Sequence, residues 1–166
     1  MDNHLVLAAL GADRTGIVDE ISRIASETRC NITDSRMVVM GQEFSIIMMI
    51  SGAWDAIAKF ENHIPVLEER LNLAIITKRT EARQPQREAI PYRVDVIALD
   101  NPGIVHDIAN FFASQQINIE SLETSTYAAP HTGSPMFALN MTVNIPAKAH
   151  LASLRENFMI FCDDRN

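Results

Sequence analysis

The segment Leu5–Val38 recurs without gaps as Tyr92–Ser125, at a constant offset of 103 − 16 = 87 residues between the two central glycines. A repeat of this kind constrains the fold before any composition does, because each copy must be one supersecondary unit with the same corners and the same apolar faces. Asp13 is repeated as Asp100, Gly16 as Gly103, Ile17 as Ile104, Val18 as Val105, Ile21 as Ile108, Asn31 as Asn118 and Ile32 as Ile119. The identities gather at a turn and at a helix exit.

Each copy opens with a strand-like apolar segment, Leu5–Leu10 and Val94–Leu99, that runs into the turns 11–16 and 100–103. A helix follows each turn: Ile17, Val18, Ile21, Ile24 and Ala25 fall on one helical face, and Ile104, Val105, Ile108, Phe111 and Phe112 repeat that spacing. Asn31-Ile32 and Asn118-Ile119 then open a second strand. In the first copy it turns at Gly41-Gln42 into Phe44–Ile50, and in the second a longer connection, Ala128–Pro135, leads into Met136–Ile145.

A further helix begins near Trp54 and carries Ile57, Phe60 and Ile64 inward, with Pro65 expected to break or kink it, and Leu73–Lys78 supplies a last strand. The first unit therefore reads β-α-β-β-α-β, a ferredoxin-like α+β arrangement with both helices on one face of an antiparallel sheet. In the second copy Pro146 suits a helix start, and Leu151, Leu154, Phe158 and Phe161 form an inward stripe. Arg70-Leu71-Asn72 leads into the fourth strand, whereas Asp164-Arg165-Asn166 stands at the matching point, so the second unit is expected to lack its last strand. The resulting organisation is residues 1–80, a linker over 81–91, and residues 92–166.

With 14 basic and 21 acidic residues the formal charge is −7, which repels phosphate backbones and anionic lipid. No direct nucleic-acid contact and no membrane association are expected; no apolar run approaches the roughly 20 residues of a bilayer span, and the reading is cytoplasmic. Cys30 and Cys162 suggest buried free thiols rather than a disulfide or zinc site. His4, His63, His106, His131 and His150 have no metal-ligand spacing, so neither metal nor cofactor is expected. No nucleophile motif or paired carboxylates favour an enzyme. Met37, Met40, Met48 and Met49 are read as core filling, and Trp54 as packing at a helix start.

A strand, an Asp-x-x-Gly-Ile-Val turn opening a helix, and Asn-Ile opening the next strand resemble the ACT domain, a βαββαβ module that senses amino acids. The segments that carry the resemblance are 9–18, 30–36, 41–44 and 78–80, with Thr15 where the family motif usually has proline. Two such modules with little else resemble the repressor group of the glycine cleavage system. The resemblance implies a non-enzymatic regulator that contacts a DNA-binding partner protein, takes glycine as its small amino-acid effector, and forms a homo-oligomer through its sheets or helices. The rival readings are an amino-acid sensor acting on an enzyme, and a small ferredoxin-like hydrolase.

The implied effector site is Asp13, Arg14, Gly16, Ile17 and Asn31 in the first copy, and Asp100, Asn101, Gly103, Ile104 and Asn118 in the second. A helix start offers unpaired N–H groups and the positive end of a dipole to an α-carboxylate. Gly16 and Gly103 either admit the ligand to the backbone or simply permit the turn. Asp13 and Asp100 either meet an ammonium group or cap the helix, the capping preference favouring the latter. Asn31 and Asn118 either touch ligand or make a local turn bond, which turn chemistry favours.

Overall fold

A computed structural model of the chain describes residues 3–82 and 89–165. The chain divides into two compact units, Met1–Gln84 and Pro85–Asn166. The first contains β1 (Asn3–Ala12), α1 (Ile17–Glu27), β2 (Asn31–Met40), β3 (Glu43–Gly52), α2 (Trp54–Leu71) and β4 (Leu73–Thr80). Its antiparallel sheet has the order β2-β3-β1-β4. Successive strand side chains alternate between faces, and Leu5, Leu7, Ala9, Phe44, Ile46, Met48, Ile50, Leu73 and Ile75 occupy the buried one. The apolar stripes of both helices, including Ile21, Ile24, Ile57 and Phe60, close the same core.

The second unit contains β5 (Ala89–Leu99), α3 (Ile104–Ser114), β6 (Asn118–Ala128), β7 (Pro135–Pro146) and α4 (Leu151–Asp163). Among the described residues its sheet has three strands in the order β5-β7-β6, without the fourth, as the repeat predicts. Ile108, Phe112, Met141 and Val143 form the buried centre, with Phe111, Phe158 and Phe161 packed against it. Phe111 lies 5.0 to 5.2 Å from Phe112, Phe158 and Phe161, ring centre to ring centre.

The two copies agree down to their irregularities. Helices α1 and α3 both leave through a non-glycine residue in the left-handed region, Arg29 (φ 61°) and Gln116 (φ 57°). The Cys30 N–H then bonds the Ala25 carbonyl at 2.8 Å and the Ile117 N–H bonds Phe112 at 3.0 Å, the long bond of a Schellman ending. The register of β2 against β3 shifts between Ile32 and Asp34, and that of β6 against β7 between Ile119 and Ser121, again 87 residues apart. Beyond this the offset grows: Leu7 faces Met48 and Val94 faces Met141, so 141 − 48 = 93 and the second hairpin connection is longer by 93 − 87 = 6 residues.

Several expectations are corrected. Pro65 does not break its helix; α2 continues to Leu71 because Leu67 and Leu71 bury beyond it while Pro65 itself faces outward. The stripe burial outweighs the lost N–H bond. Pro146 is the last residue of β7, and α4 begins at Leu151. Val18 and Val105 are exposed rather than inward, lying at the edge of each stripe. Of the four hairpin methionines only Met48 is core; Met37 and Met40 stand exposed on the edge strand β2. Trp54 is 64% exposed, touched by the Arg79 guanidinium 5.7 Å above its ring. Of the stretch read as linker, residues 83–88 lie outside the described residues, and Ala89–Pro91 belong to β5, opposite Pro146, Ile145 and Asn144.

Candidate functional site

Both motif turns lie at the end of their sheet where the β2–β3 and β6–β7 hairpins close. The Asp13 N–H bonds the Gln42 carbonyl at 2.9 Å and the Asp100 N–H bonds Pro135 at 3.0 Å, so each turn is pinned to its hairpin by the backbone. Neither aspartate caps its helix. The N-cap residues are Gly16 (φ 96°) and Gly103 (φ 99°), with no side-chain cap bond. Glycine is required there because a side chain is strained at such φ, not because anything crowds it: a Cβ would meet no atom within 4 Å at either position. The first intrahelical bonds are Glu20 N–H to Gly16 and Asp107 N–H to Gly103, which leaves the N–H groups of the preceding residues directed out of each helix start.

The predicted site residues separate into those gathered at this end and those that are not. Asp13, Arg14 and Gly16 are together, as are Asp100, Asn101 and Gly103. Ile17 is buried in the core, while Ile104 is only partly buried. Asn31 and Asn118 lie at the far end of the sheet, since Asn31 faces Ser51, which faces His4, nine residues before Asp13. At strand rise that is roughly 30 Å, too far to share a small ligand with the turn.

The two turns differ in what surrounds them. In the first unit Arg14 donates from Nη2 to the Arg70 carbonyl at 2.7 Å, closing the end of α2, and Arg70 donates to Glu20 at 2.9 Å. Glu20 also accepts from Arg23 at 2.9 Å, and that bond, with the charges of Arg70 and Arg14, holds its carboxyl below the usual glutamate value. β4 packs tightly here: a Cβ on Gly11 would stand 2.7 Å from the Asn72 oxygen and 2.8 Å from Leu73 Cδ2.

In the second unit the corresponding place is a cavity of about 170 Å³ between β5, α3 and α4, lined by Leu99, Asn101, Pro102, Ile104, Asp107 and Arg165 among others. Arg165 donates to Asp107 at 3.0 Å and lies 4.1 Å over the Phe161 ring. Beside them, burial raises the Cys162 thiol above the usual cysteine value. Sequence reasoning missed Glu20, Arg70, Asp107 and Arg165. The signal for the acids was present: Glu20 and Asp107 occupy the same repeat position, 107 − 20 = 87, in the first helical turn. Among the described residues no group of three or more His, Cys, Asp or Glu side chains is arranged to hold a metal, and no helix is long and apolar enough to cross a membrane.

Models of the ACT domain match residues 3–78 and 86–158. The chain is 36% identical to the glycine cleavage system transcriptional repressor of Escherichia coli K12 over 166 residues, covering 99% of this chain and 86% of the relative. A crystal structure provisionally described as a glycine cleavage system transcriptional repressor superposes with a TM-score of 0.72 at 32% identity, covering 99% of this chain and 92% of the other. A second, of an unknown protein from Galdieria sulphuraria, has a TM-score of 0.77 at 27% identity, covering 99% and 91%.

Proposed function

Because this chain belongs to the ACT-domain family, as two such domains in tandem with the glycine cleavage system transcriptional repressor among its relatives, we propose that it is an amino-acid-responsive repressor of the glycine cleavage system that acts through a DNA-binding partner protein. The observation that carries the reading is the second motif turn. There the uncapped start of α3 and the Asp107–Arg165 pair stand around one small cavity. A free amino acid is a zwitterion, so its carboxylate matches the helix N–H groups and the Arg165 guanidinium, and its ammonium matches Asp107. The cavity volume suits a small side chain, which agrees with glycine as effector. The first turn, locked by Arg14, Arg70 and Glu20, plays the structural part of the same motif.

The net charge of −7 supports an indirect route to DNA, since it repels the phosphate backbone that a direct binder must neutralise. Calorimetric titration of the whole protein with a panel of amino acids tests the effector: glycine is expected to bind, and Asp107→Asn and Arg165→Gln to abolish binding while leaving the fold intact. Heat release unchanged in both variants would reject this site. Pull-down with mass spectrometry tests the partner. Recovery of a DNA-binding regulator is expected, whereas an enzyme recovered in its place would replace transcription by control of that enzyme.

A further inference from the structure

The cavity beside the second motif turn is divided by its chemistry. Asp107 and Arg165, bonded at 3.0 Å, stand at a polar end, while Val96, Ala98, Ile104 and Phe161 belong to the apolar remainder. Strand side chains alternate between faces, so Ala98 points to the same side as Val94 and Val96, which pack against the core. It carries the smallest side chain of those around the cavity. The neighbouring walls have little freedom to move. Ile108 is fully packed at 3% exposure, and Phe161 is held between Phe111, 5.0 Å away, and the Arg165 guanidinium, 4.1 Å over its ring. The room inside therefore depends on what stands at position 98.

That room is small. A volume of about 170 Å³ corresponds to roughly six waters at about 30 Å³ each. Glycine is a ligand of that size, alanine adds a single methyl group, and valine exceeds it. The repeat supplies a comparison, because the same slot in the first unit is Gly11, where an added methyl would stand 2.8 Å from Leu73 Cδ2. There the space is filled from within and leaves no place for a methyl; in the second unit Ala98 bears the methyl and still borders a cavity. We infer that Ala98 sets the upper size limit of the effector, so that the site takes glycine and alanine and rejects amino acids branched at the β-carbon. The inference rests on the reading of this cavity as the effector site. With the carboxylate at the start of α3 and the ammonium on Asp107, the substituent on the effector's α-carbon turns toward the apolar end, where the Ala98 methyl stands.

Calorimetric titration of the full chain with glycine, alanine, 2-aminobutyrate and valine reads the limit. A methyl or methylene group in a closed apolar pocket changes affinity by roughly 10- to 200-fold, so valine is expected to bind the parent about 100-fold more weakly than alanine, or worse. Ala98→Val should weaken alanine relative to glycine by roughly 10-fold or more, and Ala98→Gly should strengthen 2-aminobutyrate relative to glycine by roughly 10-fold. Circular dichroism reports the fold, and Ala98→Gly carries the test if the valine variant does not fold. Valine bound as tightly as alanine by the parent, or affinity ratios unchanged in Ala98→Gly, would overturn the size limit. Asp107→Asn separates the two claims. Glycine binding lost in that variant, with ratios unmoved by substitution at position 98, rejects the limit alone, whereas glycine binding that survives Asp107→Asn rejects the effector site and the limit with it.

Discussion

Glu20 accepts a hydrogen bond from Arg70 at 2.9 Å and so ties the first turn of α1 to the last turn of α2. In the second unit Arg165, just beyond the end of α4, donates to Asp107 in the first turn of α3 at 3.0 Å. Glu20 is held in its charged form chiefly by the Arg23 hydrogen bond and then by the nearby guanidinium charges. Its titration should therefore fall below the usual glutamate range in NMR. Arg23→Gln should return it further toward the ordinary value than Arg70→Gln does. A larger effect of Arg70→Gln than of Arg23→Gln would show that the long-range tie, not the local pair, sets the charge.

The left-handed positions make paired predictions of opposite sign. Gly103 has φ 99° with open space around it, so Gly103→Ala should cost about 1–2 kcal/mol through backbone strain alone. Gln116 already carries such strain at φ 57°, and Gln116→Gly should stabilise by about 0.5–1 kcal/mol. Urea denaturation of both variants checks the signs.

Helix α2 holds Pro65 in its interior. Its ring removes one backbone donor and crowds the preceding turn, so Pro65→Ala should raise stability by about 1–3 kcal/mol with α2 unchanged in extent. A loss of stability would mean that the proline shapes a bend the core depends on.

What was legible in the sequence was the chain path. The offset of 87 carries α1 onto α3 residue for residue and repeats the register shift near Ile32 at Ile119. What was not legible is what lies across the path. Asn31 stands near Asp13 in any motif read along the chain, yet the intervening helix returns it to the opposite end of the sheet. Met37 and Trp54 are apolar by composition, but an edge strand and a helix start leave them open. Asp13 has the chemistry of a cap, while the left-handed Gly16 three residues later takes the N-cap position. Arg165 could be recognised only once α4 and α3 were seen to converge.

Arg79 joins β4 to α2 by two bonds to Glu61, Nε to Oε1 at 3.1 Å and Nη2 to Oε2 at 2.6 Å. That hydrogen bonding holds the Glu61 carboxyl below its ordinary value of 4.5. A carboxylate lowered on folding adds stability that is fully present above its unfolded pKa and is lost as pH falls through the folded one. The loss should therefore begin below about pH 4.5, and Glu61→Gln should flatten this part of the acid limb. Trp54, the sole tryptophan and a neighbour of Arg79, supplies a fluorescence probe of the same site.

Gly11 and Ala98 occupy one slot in the two copies, 98 − 11 = 87, and the same substitution chemistry should act on them in different ways. At Gly11 an added methyl would lie 2.7 Å from the Asn72 carbonyl oxygen, 2.8 Å from Leu73 Cδ2 and 3.3 Å from Leu73 Cα. Two of those atoms are backbone and cannot swing aside, so β4 must move away from β1, where Gly11 and Leu73 are paired. Gly11→Ala is expected to destabilise the first unit by about 1–3 kcal/mol, as overpacking does. Ala98 borders the cavity beside the second motif turn and meets no fourth strand among the described residues. Ala98→Gly should cost only the backbone entropy of glycine in a strand, about 0.5–1 kcal/mol. Calorimetric unfolding of the two variants distinguishes the cases, and a Gly11→Ala protein as stable as the parent would mean that β4 does not close on β1 as described.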